Sequence, residues 1–246
     1  MAPKEHGAYG QLGFPLLSAM LLGKPTLASV LLVVGSVIAF FAHEPLVLLL
    51  GQRGKKALRE DAVRAKKKLL LAAFGSTLAF SIALSGCGNI VRYSVVLNAL
   101  FVAVALVFIL KGQERSLLGE LWIALTLPLA ALPVALANGV STKSCLLMSA
   151  SFVLAHTSGI FGVRGIIAEF KQGNRAAGYA GLLVVALGIA ALGGISLSPS
   201  LACGAFYVVV LGARLMRPSP KSLRPIGWLL IGASALQAAW LVLALR

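Results

Sequence analysis

The sequence predicts an all-α, polytopic membrane protein with about nine transmembrane helices. Its 246 residues are 59% hydrophobic and only 12% charged, and the mean hydropathy is +0.94. Soluble domains are about 45–50% apolar and about 25% charged. The apolar residues also form runs of the length that crosses a bilayer as a helix, and short polar segments separate these runs. We therefore expect one transmembrane domain over residues 1–246, without room for a soluble domain.

Nine apolar runs are candidate transmembrane helices because Gly, Pro, Asn and charged residues interrupt the hydrophobic pattern between them. The runs cover approximately residues 8–23, 26–50, 69–86, 93–110, 117–137, 145–163, 176–192, 200–216 and 226–245. The first run is short and contains Gly10, Gly13 and Pro15. For this run, a half-helix or an interfacial segment is the alternative to a full span. Between the second and third runs we expect a charged loop over residues 51–68.

Lysine and arginine predict the orientation of the chain. With the amino terminus inside, 18 of the 22 basic residues fall on the cytoplasmic side, and the outer side keeps Lys24, Arg92, Lys143 and Arg246. Basic residues in short loops are retained on the cytoplasmic side of membranes. We therefore expect the amino terminus inside and the carboxyl terminus outside. The same retention explains the net charge of +15. No basic segment carries interleaved aromatic residues, so the expected partner is the lipid bilayer and not nucleic acid.

The second and sixth runs share a pattern that suggests an internal repeat. His43 lies ten residues before Arg53, and His156 lies eight residues before Arg164. Each histidine would lie in the inner third of a helix that leads into a charged cytoplasmic segment. This predicts two four-helix halves, about 26–137 and 145–245, with 1–23 as an extra amino-terminal helix. Transporters built from repeats place their binding sites between the halves.

Glu44 is the most informative polar residue, because it lies six residues before the end of an apolar run at Leu50. A charged group in hydrocarbon costs at least about 2.5–3.5 kcal/mol, so this carboxyl group should be protonated, paired or exposed to a cavity. One interpretation makes it part of a polar site together with His43. The other is an interhelical ion pair or a capping group next to Pro45, which removes a backbone donor and bends the helix.

The acidic residues and histidines all fall on the expected cytoplasmic side, which favours a binding site there. Arginines and the amino-terminal Lys-Glu-His segment would attract an anion, and the histidines and Glu44 would supply protonation-dependent contacts. Ordinary helix packing among small residues is the alternative for His156. A solvated face is the alternative for most lysines of 51–68. The predicted substrate-binding residues are Lys4, Glu5, His6, His43, Glu44, Arg53, His156, Arg164 and Glu169. No catalytic residue is assigned.

Several chemistries lack their sequence signatures. The chain has no Gly-x-Ser-x-Gly elbow, phosphate-binding loop or HExxH motif. Cys87, Cys145 and Cys203 lie far apart without a CxxC pair, which predicts packing roles and not a zinc site. The single aspartate, Asp61, cannot form an Asp-rich magnesium–diphosphate site of the usual kind. We predict no metal site, and the sequence names no cofactor.

Three short motifs resemble the YwiC-like family of bacterial membrane proteins. They are PKEHGAYG at residues 3–10, GFP at 13–15 and HEPL at 43–46, the last followed by a basic segment. The resemblance extends over essentially the whole chain, and PKEHGA is its most specific part. It implies a multi-pass protein of the bacterial cytoplasmic (inner) membrane but no settled molecular function.

A more remote resemblance is to the UbiA-type intramembrane prenyltransferases. The segment RGIIAEFKQGNRAAG, from Arg164, has the outline of their second Asp-rich loop, with Glu169, Arg175 and Gly178 in corresponding places. The resemblance implies nine helices, arranged as two four-helix repeats plus one, and an isoprenoid-type ligand. The aspartates that would hold magnesium are missing from both corresponding segments of this sequence.

Three functional hypotheses follow from these patterns. The first is a protein that binds or transports a small anionic or amphiphilic molecule at an inward-facing cavity between the two halves. The second is a divergent UbiA-type transferase in which His and Glu replace the aspartates. The third is a noncatalytic assembly partner for other membrane proteins.

Overall fold

The computed structural model describes residues 6–170, 175–216 and 223–246, and all regular structure in these ranges is α-helical. The helices are α1 (His6–Leu22), α2 (Leu27–Phe41), α3 (His43–Leu49), α4 (Lys55–Ser85), α5 (Asn89–Leu110), α6 (Leu117–Leu129), α7 (Ala131–Ala137), α8 (Thr142–Phe170), α9 (Arg175–Ile195), α10 (Leu197–Leu215) and α11 (Leu223–Leu245). In the described residues, eight helical segments are long and apolar enough to cross a membrane, with α2–α3 and α6–α7 each forming one segment. The all-α, multi-pass membrane architecture predicted from the sequence is therefore confirmed.

Helix α1 corresponds to the first of the nine expected spans and is not among these eight segments. Its 17 residues rise about 26 Å, slightly less than the hydrocarbon core of about 30 Å. Pro15 lies inside this helix without ending it. Leu12, Leu16 and Ala19 are buried, and α1 packs against α11, α7 and α6. The first apolar run is thus a continuous helix in the core of the bundle, and a ninth span remains a prediction.

Two prolines divide the second and fifth apolar runs into two helices each. A proline cannot donate to the carbonyl four residues earlier, and its ring crowds that carbonyl. Helix α2 ends at Phe41, four residues before Pro45, and helix α6 ends at Leu129, four residues before Pro133. The first of these breaks places His43 and Glu44 in the first turn of α3.

The expected loop over residues 51–68 is wrong, because α4 already begins at Lys55. The residues from Lys55 onward are mostly Lys, Ala, Leu, Arg and Glu, which favour helix. Only a tight turn remains, in which Gly51 and Gly54 have φ angles of 73° and 95° that glycine adopts without steric cost. Helix α8 likewise runs to Phe170, so the charged segment expected from Arg164 is helical in its first half.

The membrane helices pack in two groups that meet at α1 and α8. Helix α4 packs against α2 and α3, and helix α5 packs against α6 and α7. Helices α8, α9 and α10 pack against one another, and α11 packs against α8 and α10. At the crossing of α2 and α4, a Cβ atom on Gly35 would lie 3.2 Å from the ring of Phe80. Close packing of this kind relies on small residues, because lipid supplies little hydrophobic drive between helices.

Asn138 joins three segments at the end of the bundle where α7 finishes. Its side-chain Nδ2 donates to the Ala19 carbonyl at 3.0 Å, and its Oδ1 accepts from the Thr26 amide at 3.3 Å. The Lys24 amide donates to the Asn138 carbonyl at 3.1 Å. These bonds fix the α1–α2 turn against the end of α7.

Candidate functional site

A cavity of about 880 Å³ occupies the centre of the bundle. Helices α1 to α8 and α11 border it, and α10 contributes Phe206. Most of the wall is apolar, with Phe40, Phe80, Ile109 and Ile160 among its side chains. Charged residues border it at the end formed by α3, the start of α6 and the α5–α6 connection, namely His43, Glu44, Arg53, Glu114, Arg115, Glu120 and Arg164. We call these seven residues the charged cluster.

Glu44 and Arg53 form the most deeply buried pair in the charged cluster. Arg53 Nε donates to Glu44 Oε1 at 2.9 Å, and Nη2 donates to Oε2 at 2.7 Å. The side chain of Arg53 is 20% exposed and that of Glu44 is 6% exposed. Two parallel bonds to a carboxylate use the planar geometry of a guanidinium and hold both groups in one orientation. The turn after α3 thus folds Arg53 back toward the break at Ala42.

His43 makes the second pair, with a residue that the sequence reasoning did not select. Its Nε2 lies 2.8 Å from Oε2 of Glu114 in the α5–α6 connection. The histidine is partly exposed, whereas Glu114 is buried. This contact ties the start of α3 to a segment more than 70 positions later in the chain. It also adds a second titratable carboxyl group to the cavity beside Glu44.

Arg164 of α8 makes the third pair. Its Nε donates to Oε2 of Glu120 in the first turn of α6 at 2.5 Å, and its Nη2 donates to the carbonyl of Arg115. Ser116 caps α6 by accepting from the Gly119 amide at 3.0 Å, which fixes the position of Glu120. The helix that carries Arg164 therefore closes the charged cluster from the second half of the chain.

His156 also borders the cavity, and its ring packs against two aromatic rings. It is 4% exposed, and its ring centroid lies 5.8 Å from that of Phe152 and 6.4 Å from that of Phe206. Neither ring nitrogen has a hydrogen-bond partner among the described residues. An unsatisfied buried polar group costs about 1–3 kcal/mol. This residue is therefore the polar feature of the apolar wall that the local packing explains least.

The structure thus brings five of the predicted binding residues to one cavity: His43, Glu44, Arg53, His156 and Arg164. Lys4 and Glu5 lie outside the described residues, and His6 begins α1 with a side chain outside them as well. Glu169 does not border the cavity. Its Oε1 lies 3.6 Å from Nη2 of Arg214 and 3.4 Å from the hydroxyl of Tyr179. That group of residues lies apart from the charged cluster.

Arg214, the basic residue of this second group, is fully buried. Its guanidinium carbon lies 3.6 Å from the ring centroid of Tyr179, a geometry that allows a cation–π interaction. Two glycines make room for it, since a Cβ on Gly165 or Gly178 would collide with the guanidinium. This arrangement joins α8, α9 and α10 and is consistent with a packing role.

Sequence reasoning missed Glu114, Arg115 and Glu120 as cavity residues. For the two glutamates the sequence did carry a signal, because all acidic residues were expected on the cytoplasmic side of the membrane. What the sequence did not show was which acidic residue would meet which base. The three cysteines are buried and free, in agreement with the predicted packing roles. Burial raises the pKa of the Cys87 thiol, and nearby Arg92 opposes this change.

Fold and cavity together define a multi-pass membrane protein with an internal cavity that is apolar along most of its wall and charged at one end. The sequence model of a family described as "YwiC-like protein" matches residues 2–136, which is more than half of the chain. The chain belongs to the YwiC-like family. No curated protein and no solved structure gives a significant match to it. The resemblance to the UbiA-type enzymes stays a prediction.

Proposed function

We propose that this protein binds a small amphiphilic molecule in its central cavity. The polar head of the molecule would meet the charged cluster, and its apolar body would lie between the helices. The observation that carries this proposal is the continuity of an apolar cavity of about 880 Å³ with seven charged or titratable side chains at one end. Sites for small molecules commonly measure about 300–1,000 Å³ and are mostly apolar with a few convergent polar groups.

The charge balance of the cluster favours a head group without a large net charge. Three arginines and three glutamates border the cavity, and the two histidines add charge only when protonated. Arg53 and Arg164 are each bonded to one of these carboxylates. A strongly anionic head group would have to compete with Glu44 and Glu120 for them. The amphiphile is therefore the better supported of the two ligand types expected from the sequence.

The pairing of the glutamates favours binding over metal-dependent transfer. Glu44, Glu114 and Glu120 each contact a basic side chain. A magnesium site needs carboxylates free to act as ligands. Binding without metal-dependent chemistry accounts for the cluster more directly, because each of these carboxylates already contacts a basic side chain.

The proposal places the charged cluster on the cytoplasmic side of a bacterial inner membrane. The support is the distribution of lysine and arginine, since α4 begins in a basic segment at the same end as Arg53 and Arg164. Basic residues next to membrane helices are retained on that side.

A cavity-filling substitution tests the binding proposal. Ile160 borders the cavity, whereas Leu187 is 63% exposed on α9. We expect Ile160→Trp to weaken binding of the amphiphile by about tenfold, which corresponds to about 1.4 kcal/mol, and so to lower the fraction of protein that carries it. Leu187→Trp, a matched control at the lipid-facing surface, should leave it unchanged. Native mass spectrometry of protein purified in mild detergent, followed by lipid extraction, measures this fraction.

Wild-type protein that carries no small molecule under these conditions, or that loses the same molecule equally in both variants, would show that the cavity is not a binding site. In that case the charged cluster would be a purely structural network.

A further inference from the structure

Helices α4 and α5 follow each other in the chain but do not pack against each other along their lengths. Helix α4 packs on α2 and α3, and helix α5 packs on α6 and α7. Antiparallel helices joined by a turn as short as residues 86–88 ordinarily lie side by side. Here both helices border the central cavity, so the cavity separates them.

Each helix is held to a different neighbour, which fixes this separation. On α4, Phe80 packs over Gly35 of α2. On α5, Asn98 donates to the Thr126 carbonyl at 3.3 Å. Trp122 of α6 donates from Nε1 to the Phe101 carbonyl at 2.8 Å, and the two aromatic rings stack with centroids 5.2 Å apart. The gap therefore follows from the packing partners of the two helices.

Side chains in the gap border the cavity and are exposed at the same time. Thr77 and Ser81 of α4 and Ala99 and Val102 of α5 have both properties, and Val102 is 49% exposed. Because α4 and α5 do not pack against each other along these residues, the cavity reaches the surface of the bundle between the two helices. Large apolar side chains flank the gap on the outer surface: Phe74, Leu78, Leu97 and Leu100. Such a surface belongs in the hydrocarbon region of a bilayer.

We propose that the ligand is a membrane-dissolved amphiphile that enters the cavity sideways from the bilayer, between α4 and α5. This inference rests on the proposed function. It names the source of the ligand as the lipid phase and not the aqueous phase. The opening offers apolar walls to a hydrocarbon chain, and the charged cluster meets a polar head at the end of the cavity. A transmembrane helix of another protein would bring apolar side chains to that cluster, where charged groups need polar partners.

Photochemical labelling from the lipid phase tests this route. The probe is a phosphatidylcholine with a diazirine in its acyl chain, mixed into proteoliposomes that contain the full-length protein. Peptide mass spectrometry then measures labelling of Ile160, which borders the cavity on α8, a helix that packs along neither α4 nor α5. We expect Ile160 to be labelled in wild-type protein.

Matched substitutions on α5 identify the entrance. Val102→Trp places an indole in the gap, whereas Val96→Trp places one at a residue that is 58% exposed and outside the cavity wall. We expect Val102→Trp to lower labelling of Ile160 by about tenfold and Val96→Trp to change it by less than about twofold. Ala99→Trp is a second blocking variant. All variants should elute as monodisperse protein, and a blocking variant that does not is replaced by the other.

The possible results separate the route from the site. Equal labelling of Ile160 in wild type and both blocking variants would overturn lateral entry while leaving amphiphile binding intact. No labelling of Ile160 in wild type would overturn the binding proposal and this inference together. Photo-crosslinking through benzoylphenylalanine at position 102 provides the last distinction. Crosslinks to a second copy of the chain in place of lipid would show that the gap is a helix-docking surface, contrary to the proposal.

Discussion

Breaking the Glu44–Arg53 pair should destabilise the protein strongly, because both partners are largely buried. Arg53→Met keeps much of the volume of the side chain but removes both hydrogen bonds to the carboxylate. Removing one partner of a buried pair typically costs about 3–5 kcal/mol. Since Arg53 is 20% exposed, we expect the lower end of this range, about 3 kcal/mol. For a chain of this size that loss corresponds to a fall in Tm of about 6–12 °C.

A pair on the surface of the same turn region is the matched control. Lys56 lies 4.0 Å from Glu60, and their side chains are 89% and 63% exposed. Exposed ion pairs contribute little because water and salt screen them. Lys56→Met should therefore change Tm by no more than about 2 °C. Thermal unfolding in detergent, followed by the loss of the monodisperse peak in size-exclusion chromatography, measures both variants.

A double variant isolates the interaction itself. In Glu44→Gln/Arg53→Met the carboxylate becomes a neutral amide, so the cost of a buried negative charge disappears. We expect this variant to recover about half of the stability lost in Arg53→Met. The reasoning fails if Arg53→Met unfolds at the same temperature as Lys56→Met, or if the double variant is as unstable as the sum of its single changes.

Two further predictions concern helix packing and orientation. Gly178→Ala should destabilise the protein by about 1–3 kcal/mol, because its Cβ would lie 2.7 Å from Nη1 of Arg214. Gly212→Ala, which has open space around the new atom, should be neutral or stabilising by up to about 1 kcal/mol in the same thermal assay. For orientation, a membrane-impermeant maleimide should modify Lys143→Cys in intact spheroplasts but Lys56→Cys only after permeabilisation. The opposite labelling pattern would reverse the proposed sidedness.

The native cysteines should not interfere with the labelling experiment. Cys87, Cys145 and Cys203 are all buried. For Cys87, which lies in the turn between α4 and α5, burial also raises the thiol pKa. A raised pKa lowers the thiolate fraction at a given pH, and the thiolate is the species that reacts. Wild-type protein should therefore give a low background.

Much of the cavity's polar content could be predicted from the sequence. His43 and Glu44 were selected because charged groups within apolar runs need a cavity or a partner, and Arg53 was selected as a base that would attract an anion. For Glu44 the sequence left open a polar site and an ion pair. The two are compatible, since Glu44 is paired with Arg53 and also borders the cavity. Glu169 was selected because it falls on the expected cytoplasmic side and in the segment that resembles the UbiA-type loop, yet it contacts Arg214 at a separate place. Distance along the chain does not show which helices are neighbours.

The sequence by itself determined the class of protein. The length of an apolar run and the placement of lysine and arginine are local properties, and they decide which segments enter the bilayer and in which orientation. It also contained the helix breaks, since Pro45 and Pro133 act on the carbonyl four residues earlier. Only the tertiary structure decided that Glu114 meets His43 and that Glu120 meets Arg164. The same holds for the gap between α4 and α5. Both depend on which helix packs beside which, and that choice is made by side-chain fit between segments far apart in the chain.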